Sequence, residues 1–187
     1  MIGGVTYVGA SLPYLTLEGA PPFPYRDFLA RCSEWLSAGD FTQLELARID
    51  IENVPSERVR NGMTRRWMAF ENALRNLLVK RRAKDLGWGE DEYLRPDLFG
   101  ESDLSPVMDF LIREVSPLEA EKALVRLRWN FLENRDSGTY FDLSSLILYG
   151  LKLQLLEHLN AFDKEKGMET LGLVLDSHAG APGGSAM

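Results

Sequence analysis

The apolar positions of the chain recur mostly at helical spacing. From Tyr25 onward, Phe28, Leu29, Cys32, Trp35 and Leu36 fall three or four residues apart, as one buried helix face does. Gly39-Asp40 interrupts, and Asp40 is placed to cap a short helix ending near Ile49. Pro55-Ser56 opens the longest helix, to about Leu86, in which Met63, Trp67, Phe70, Leu74 and Leu77 step by 4, 3, 4 and 3. That stripe suits a bundle or short coiled coil, and Gly87 stops it. Ser105-Pro106 starts a further helix to about Val115. Ser116-Pro117-Leu118-Glu119 is a capping box with proline at the first helical position. The helix it opens should bury Ala120, Leu124, Leu127 and Phe131, and Asp136-Ser137-Gly138 ends it. From about Asp142 to Phe162 leucines and isoleucine cover most of a helix circumference, which predicts a central position in the core. Lys152 interrupts that surface, so its ammonium must snorkel out or meet an acid. Asp163 is placed to cap a last helix over 164–176.

Other segments are not helical in pattern. Residues 5–12 are β-branched and aromatic enough for one short strand or extended arm. Thr16 to Pro24 holds three prolines and a glycine and reads as a loop. Residues 87–103 form a long loop of the kind that has a function or folds back on its domain. The sum is an all-α chain: an elongated multi-helix bundle of six or seven helices with at most one short N-terminal strand. A single helical domain is expected over 1–176. The small, polar, Gly/Pro-rich stretch 177–187 is expected to be a disordered tail.

Composition narrows this further. The chain has 187 residues, 45% of them hydrophobic and 26% charged, typical of a globular domain. With one cysteine, Cys32, no intrachain disulfide can form, and its apolar neighbours suggest a small buried hydrophobe. No apolar run is long enough to span a bilayer and no signal-peptide pattern opens the chain, so a cytoplasmic location is expected. Charge is segregated. Residues 56–86 hold nine bases against three acids, between acidic flanks, in a chain of net charge -7. The nine bases scatter around the helix and lack interleaved aromatic residues, which argues against nucleic acid. The plainer reading is a solvated helix offset by the six acids of loop 87–103.

Catalytic chemistry finds little support. No phosphate-binding loop is present. His158 lacks the partner spacing of a zinc or di-iron motif and reads as a polar or half-buried position; His178 falls in the expected tail. Ser144 and Ser145 have no nucleophile elbow. Glu71 and Arg75 form an i,i+4 pair, and Glu119 and Lys122 an i,i+3 pair. No catalytic, cofactor-binding or metal-binding residue is assigned and no cofactor is expected.

Three blocks carry a family resemblance. They are Tyr7-Val8-Gly9-Ala10-Ser11-Leu12-Pro13 with Pro21-Pro22; Glu71 to Leu78 continuing through Arg82-Ala83 to Leu86-Gly87; and Glu119-Ala120-Glu121 through Leu127-Arg128-Trp129, Phe141-Asp142, Leu151-Lys152-Leu153 and Gly167. Together they resemble a bacterial family of uncharacterised proteins encoded alongside A/V-type rotary ATPase subunits. The Asn76-to-Ala83 block also looks like the helical repeats of the ATPase C, or d, subunit, the socket between central shaft and membrane rotor ring. The resemblance implies a non-catalytic accessory or central-stalk-like component, peripheral at the inner membrane through the complex. Its partners would be the central shaft or the membrane rotor ring, with Arg65, Arg66, Arg75 and Arg82 as candidate contacts. The alternatives are a small helical enzyme, with a pocket near His158 or Lys152, or a nucleic-acid binder.

Overall fold

A computed structural model describes residues 2–87, 89, 93–96, 117–136 and 142–179; the side chains of 2–3, 117–118 and 162–179 lie outside the description. The described structure is all-α. It comprises α1 (Ile2–Ser11), α2 (Tyr25–Trp35), α3 (Ala38–Glu45), a 3-10 turn (Ser56–Arg58), α4 (Gly62–Leu86), α5 (Pro117–Glu133) and α6 (Leu143–Ala179). The helices form a bundle around α6, which packs against each of the other five.

The chemistry of α6 explains its place. Every residue from Ser145 to Leu156 is buried, so this stretch has no solvent face. Gly150 lets α2 approach closely: a Cβ there would lie 3.0 Å from Phe28 Cε1 and 3.3 Å from Tyr25 Cε2. Glu157 Oε1 accepts the Tyr25 N–H at 2.8 Å, so a side chain of α6 caps α2 from across the core. The helix also passes through Asp163 without a break, giving one helix where two were expected. Asp163 can cap a helix, but no proline falls within 143–179 to stop the preceding one. The helix includes Ser177 and His178 of the expected tail; residues 180–187 lie outside the description.

The N-terminal strand expected over 5–12 is instead helix α1. The β preference of Val5, Thr6 and Val8 is weak, and packing overrides it. Val8 is buried in the core, and Gly4 sits so close to α2 that a Cβ would fall 2.2 Å from the Trp35 carbonyl oxygen. Helix α3 is capped by Ser37 rather than Asp40. Ser37 Oγ accepts the Asp40 N–H at 3.1 Å and donates to Asp40 Oδ2 at 2.8 Å, a capping box one turn earlier than expected.

Helix α4 begins at Gly62 rather than at Pro55. Asn61 Oδ1 caps it, accepting the Met63 N–H at 2.8 Å. The approach is held open by Gln43, whose Oε1 accepts the Arg60 and Asn61 N–H groups at 2.6 and 3.1 Å and whose Nε2 donates to Arg58 O at 3.0 Å. At the other end Gly87 adopts φ 68°, the left-handed cap expected of it. Helix α5 starts at Pro117 as expected, but buries two faces. Ala123, Val125, Trp129 and Leu132 are buried, while Ala120, Leu124, Leu127 and Phe131 are half-buried. Phe131 turns toward α4, stacked on Phe70 at 4.0 Å between ring centres, so the apolar surface of α5 divides between two neighbours. The helix expected from Ser105-Pro106 lies outside the described residues. Among the described residues no helix is long and apolar enough to cross a membrane.

Candidate functional site

Helices α4, α5 and α6 converge with two connecting segments on a cleft of about 400 Å³. Each segment is fixed by a polar side chain from a helix. Gln154 of α6 donates to Ala47 O at 2.9 Å and accepts the Ile49 N–H at 3.3 Å; Trp67 Nε1 donates to Arg48 O at 2.8 Å. These bonds end the helical run before Ile49, where the sequence had placed its end, and set residues 49–52 along one wall. The opposite segment is tied to α4. Asn76 Nδ2 donates to Arg95 O at 2.8 Å while its Oδ1 accepts the Arg95 N–H at 2.9 Å, and Asn72 Nδ2 donates to Pro96 O at 2.8 Å. The described part of the long acidic loop therefore folds back on α4, as its length suggested.

Four acids and three arginines line the cleft. Glu71 does not pair with Arg75, contrary to the helical spacing. Arg128 of α5 takes it in a two-point pair, Nε to Oε1 at 2.8 Å and Nη2 to Oε2 at 3.1 Å. That fork geometry outcompetes a single i,i+4 contact on one helix. Burial pushes the Glu71 carboxyl above the usual carboxylate range, against the hydrogen bonds and charge of Arg128, and Glu121 adds to the rise. Burial also opposes the charge on Arg128, but Glu71 outweighs it and raises the guanidinium further. Arg95 Nη2 meets Glu52 Oε1 at 2.8 Å. His158 Nε2 lies 3.1 Å from Glu121 Oε1 at the half-exposed rim. Asp50 Oδ1 accepts the Glu52 N–H at 3.0 Å.

Arg75 is left over. It lines the cleft among Leu74, Leu78 and Leu155, and its buried Nη1 has no hydrogen-bond partner among the described residues. A buried donor of this kind costs on the order of 1–3 kcal/mol, more when charged.

The structure does not gather the four candidate arginines. Arg65 Nε donates to Val59 O at 3.0 Å and secures the approach to α4. Arg66 is exposed near Arg135, whose pKa burial lowers and the Arg66 charge lowers further. Arg75 turns into the cleft, and Arg82 is exposed near the end of α4. Lys80 and Lys84 are exposed beside Arg82, whereas Arg81 pairs with Asp85 at 3.0 Å. Leu86, a large apolar residue, is 58% exposed at the end of this run.

Two other expectations resolve clearly. Lys152 is buried and meets two acids, donating to Glu133 Oε2 at 2.6 Å and Asp136 Oδ2 at 2.8 Å. Its ammonium also lies 5.3 Å from the centre of the Trp129 ring. Cys32 is fully buried, and burial pushes its thiol up to about 12. Among the described residues no group of three or more His, Cys, Asp or Glu could hold a metal ion.

Arg128 and Arg95, with the acids Asp50, Glu52 and Glu121, line the cleft without having been singled out as site residues in the sequence; nor were Asn72 and Asn76, which hold its wall. A signal for Arg128 existed. Glu71 lies between Trp67 and Leu74 on the apolar stripe of α4, and Arg128 follows Leu124 and Leu127 on that of α5. Opposite charges on two buried stripes can satisfy one another across the core.

Residues 96–177 match a family described as "Protein of unknown function (DUF2764)". The matched stretch covers α5 and most of α6, including Glu121, Arg128 and His158, and leaves out the α4 side of the cleft. No curated protein and no solved structure matches the chain.

Proposed function

We propose that this protein is an accessory or central-stalk-like component of an A/V-type rotary ATPase, acting through protein–protein contacts. The sequence resemblance suggests the complex. The observation that carries the contact reading is the end of α4, where Lys80, Arg82 and Lys84 are exposed and have no salt-bridge partner among the described residues. Exposed Leu86 sits beside them. Such a surface suits an acidic protein partner: the charges steer association and fix orientation, and the apolar residue adds burial. Arg66 extends the exposed basic surface at the start of the same helix.

A deletion strain tests the reading. Loss of the gene should reduce the amount of assembled ATPase, and the parent gene should restore it. A variant carrying Lys80→Glu, Arg82→Glu and Lys84→Glu should fold but fail to restore it. Normal ATPase assembly and activity in the deletion strain would remove the proposal.

The alternative of a helical enzyme has one observation in its favour, the cleft beside His158. Its described lining includes no serine, threonine, cysteine or lysine. Its glutamates and His158 are engaged in pairs with Arg95, Arg128 or one another, which suits binding better than nucleophilic attack.

A further inference from the structure

We infer that the cleft between α4, α5 and α6 binds a small organic monocarboxylate, with Arg75 as its anchor. Glu71 exchanges partners between the isolated helix and the fold. On α4 alone Glu71 would face Arg75, four residues on. In the fold Arg128 holds both carboxylate oxygens of Glu71. Arg75 keeps its charge and loses its acid. Among the described residues its buried Nη1 has no partner and no ion pair holds the side chain, while the residue lines an open cleft.

The other charged groups have their bonds. Glu52 is held by Arg95, Glu121 by His158, and Asp50 by the Glu52 N–H. Among the charged lining groups the unmet demand is therefore that of Arg75, for an acceptor, which an anion supplies and a cation does not. Net charge limits that anion to a single negative charge. Four acids against three arginines already line the site, so a dianion such as phosphate would meet more repulsion than one carboxylate. A carboxylate also matches the planar fork of a guanidinium. Leu74, Leu78, Ile51 and Leu155 supply apolar wall for a hydrocarbon body. The volume, about 400 Å³, lies at the small end for ligand sites.

The probes are hexanoate, hexylammonium and inorganic phosphate, titrated into the isotope-labelled full chain and followed by backbone amide shifts. Hexanoate should shift the amides around Leu74–Leu78 and Leu155–His158 saturably, and the other two should not. Arg75→Gln should weaken hexanoate at least about tenfold, the loss of one charge-assisted pair. Arg75→Lys should retain part of the binding, and Arg126→Gln, at an exposed position of α5, all of it. Thermal unfolding midpoints check that each variant is folded. Equal binding of hexanoate by Arg75→Gln and the parent would overturn the inference. So would hexylammonium binding as well as hexanoate, or phosphate shifting the same amides more strongly than hexanoate. Absence of any saturable shift would overturn it too. None of these results bears on the α4 surface or on ATPase assembly.

Discussion

Lys152 is a charge in the middle of the most buried helix, and the fold accommodates it by bringing two acids to it. Glu133 ends α5 and Asp136 follows in the turn, so the ammonium ties that turn to α6. Glu71 and Arg128 do the same between α4 and α5. Truncating one member of a buried pair strands the other, at a cost of about 3 kcal/mol for a partly buried pair. Arg128→Ala should therefore lower the thermal midpoint by roughly 6–12 °C in a chain of this size. Glu71→Leu combined with Arg128→Met should recover most of that loss, because an apolar pair has no charge to desolvate. A double variant as unstable as the single one would contradict this account.

Tyr25 and Cys32 define the response to alkali. Burial raises the Tyr25 phenol from 10.0 to about 12, against the opposing charge of Arg48, and the Cys32 thiol from 9.0 to about 12. Raised values in the fold mean that their contribution is fully present below the unfolded pKa values. It is lost as pH rises through the folded ones. The urea midpoint should hold steady up to pH about 9 and fall between about 9 and about 12. Tyr25→Phe should reduce that fall, since it removes a titrating hydroxyl that has no hydrogen-bond partner among the described residues. An alkaline drop of the same size in Tyr25→Phe would assign it elsewhere. Cys32 should resist thiol reagents in the native state near neutral pH.

At the scale of elements, the sequence was most legible where a helix carried one strong periodic face and a stop. In the stripe Met63, Trp67, Phe70, Leu74 and Leu77 of α4 the first four are buried as their spacing required and Leu77 is half-buried against the core, and Gly87 caps the helix with positive φ. The all-round apolar surface of α6 likewise put it at the centre. Reading failed where a distant side chain decided the outcome. Gln43 holds 58–61 out of helix, and Gln154 ends the helical run before Ile49. Arg128 redirects Glu71 from its helical neighbour. No local pattern encodes the partners of Gln43 and Gln154, and Glu71 with Arg128 was legible only as opposite charges on two apolar stripes, so the cleft was not assembled from sequence beyond an expected pocket near His158 or Lys152. The glycines that let helices approach were equally silent in sequence. Gly150→Ala would press a methyl into the Phe28 and Tyr25 rings and should cost about 1–3 kcal/mol. Gly4→Ala must displace α1, because it meets backbone rather than a movable side chain. Gly87→Ala meets no atom and should cost only about 1 kcal/mol, from its left-handed backbone. Chemical denaturation of the three variants should separate them, with Gly87→Ala mildest of the three.

At the scale of the molecule, α6 is the hub and α4 carries the basic segment that stands between acidic flanks. The structure divides that segment by task. Arg65 and Arg75 are turned to local uses, the approach to α4 and the cleft. The last two turns of α4 keep Lys80, Arg82 and Lys84 in solvent. This end of α4 is the face we propose for docking to the ATPase. Lys80 and Lys84 also make it directly observable, because both are accessible amines. The decisive measurement is amine-specific cross-linking with mass spectrometry on the native ATPase purified from its host in mild detergent at low salt. The account predicts cross-links from Lys80 or Lys84 to an acidic segment of a central-shaft or rotor-ring subunit, diminishing as salt is raised. An ATPase that assembles normally without this chain, and yields no cross-link to it during assembly or afterwards, would contradict the account.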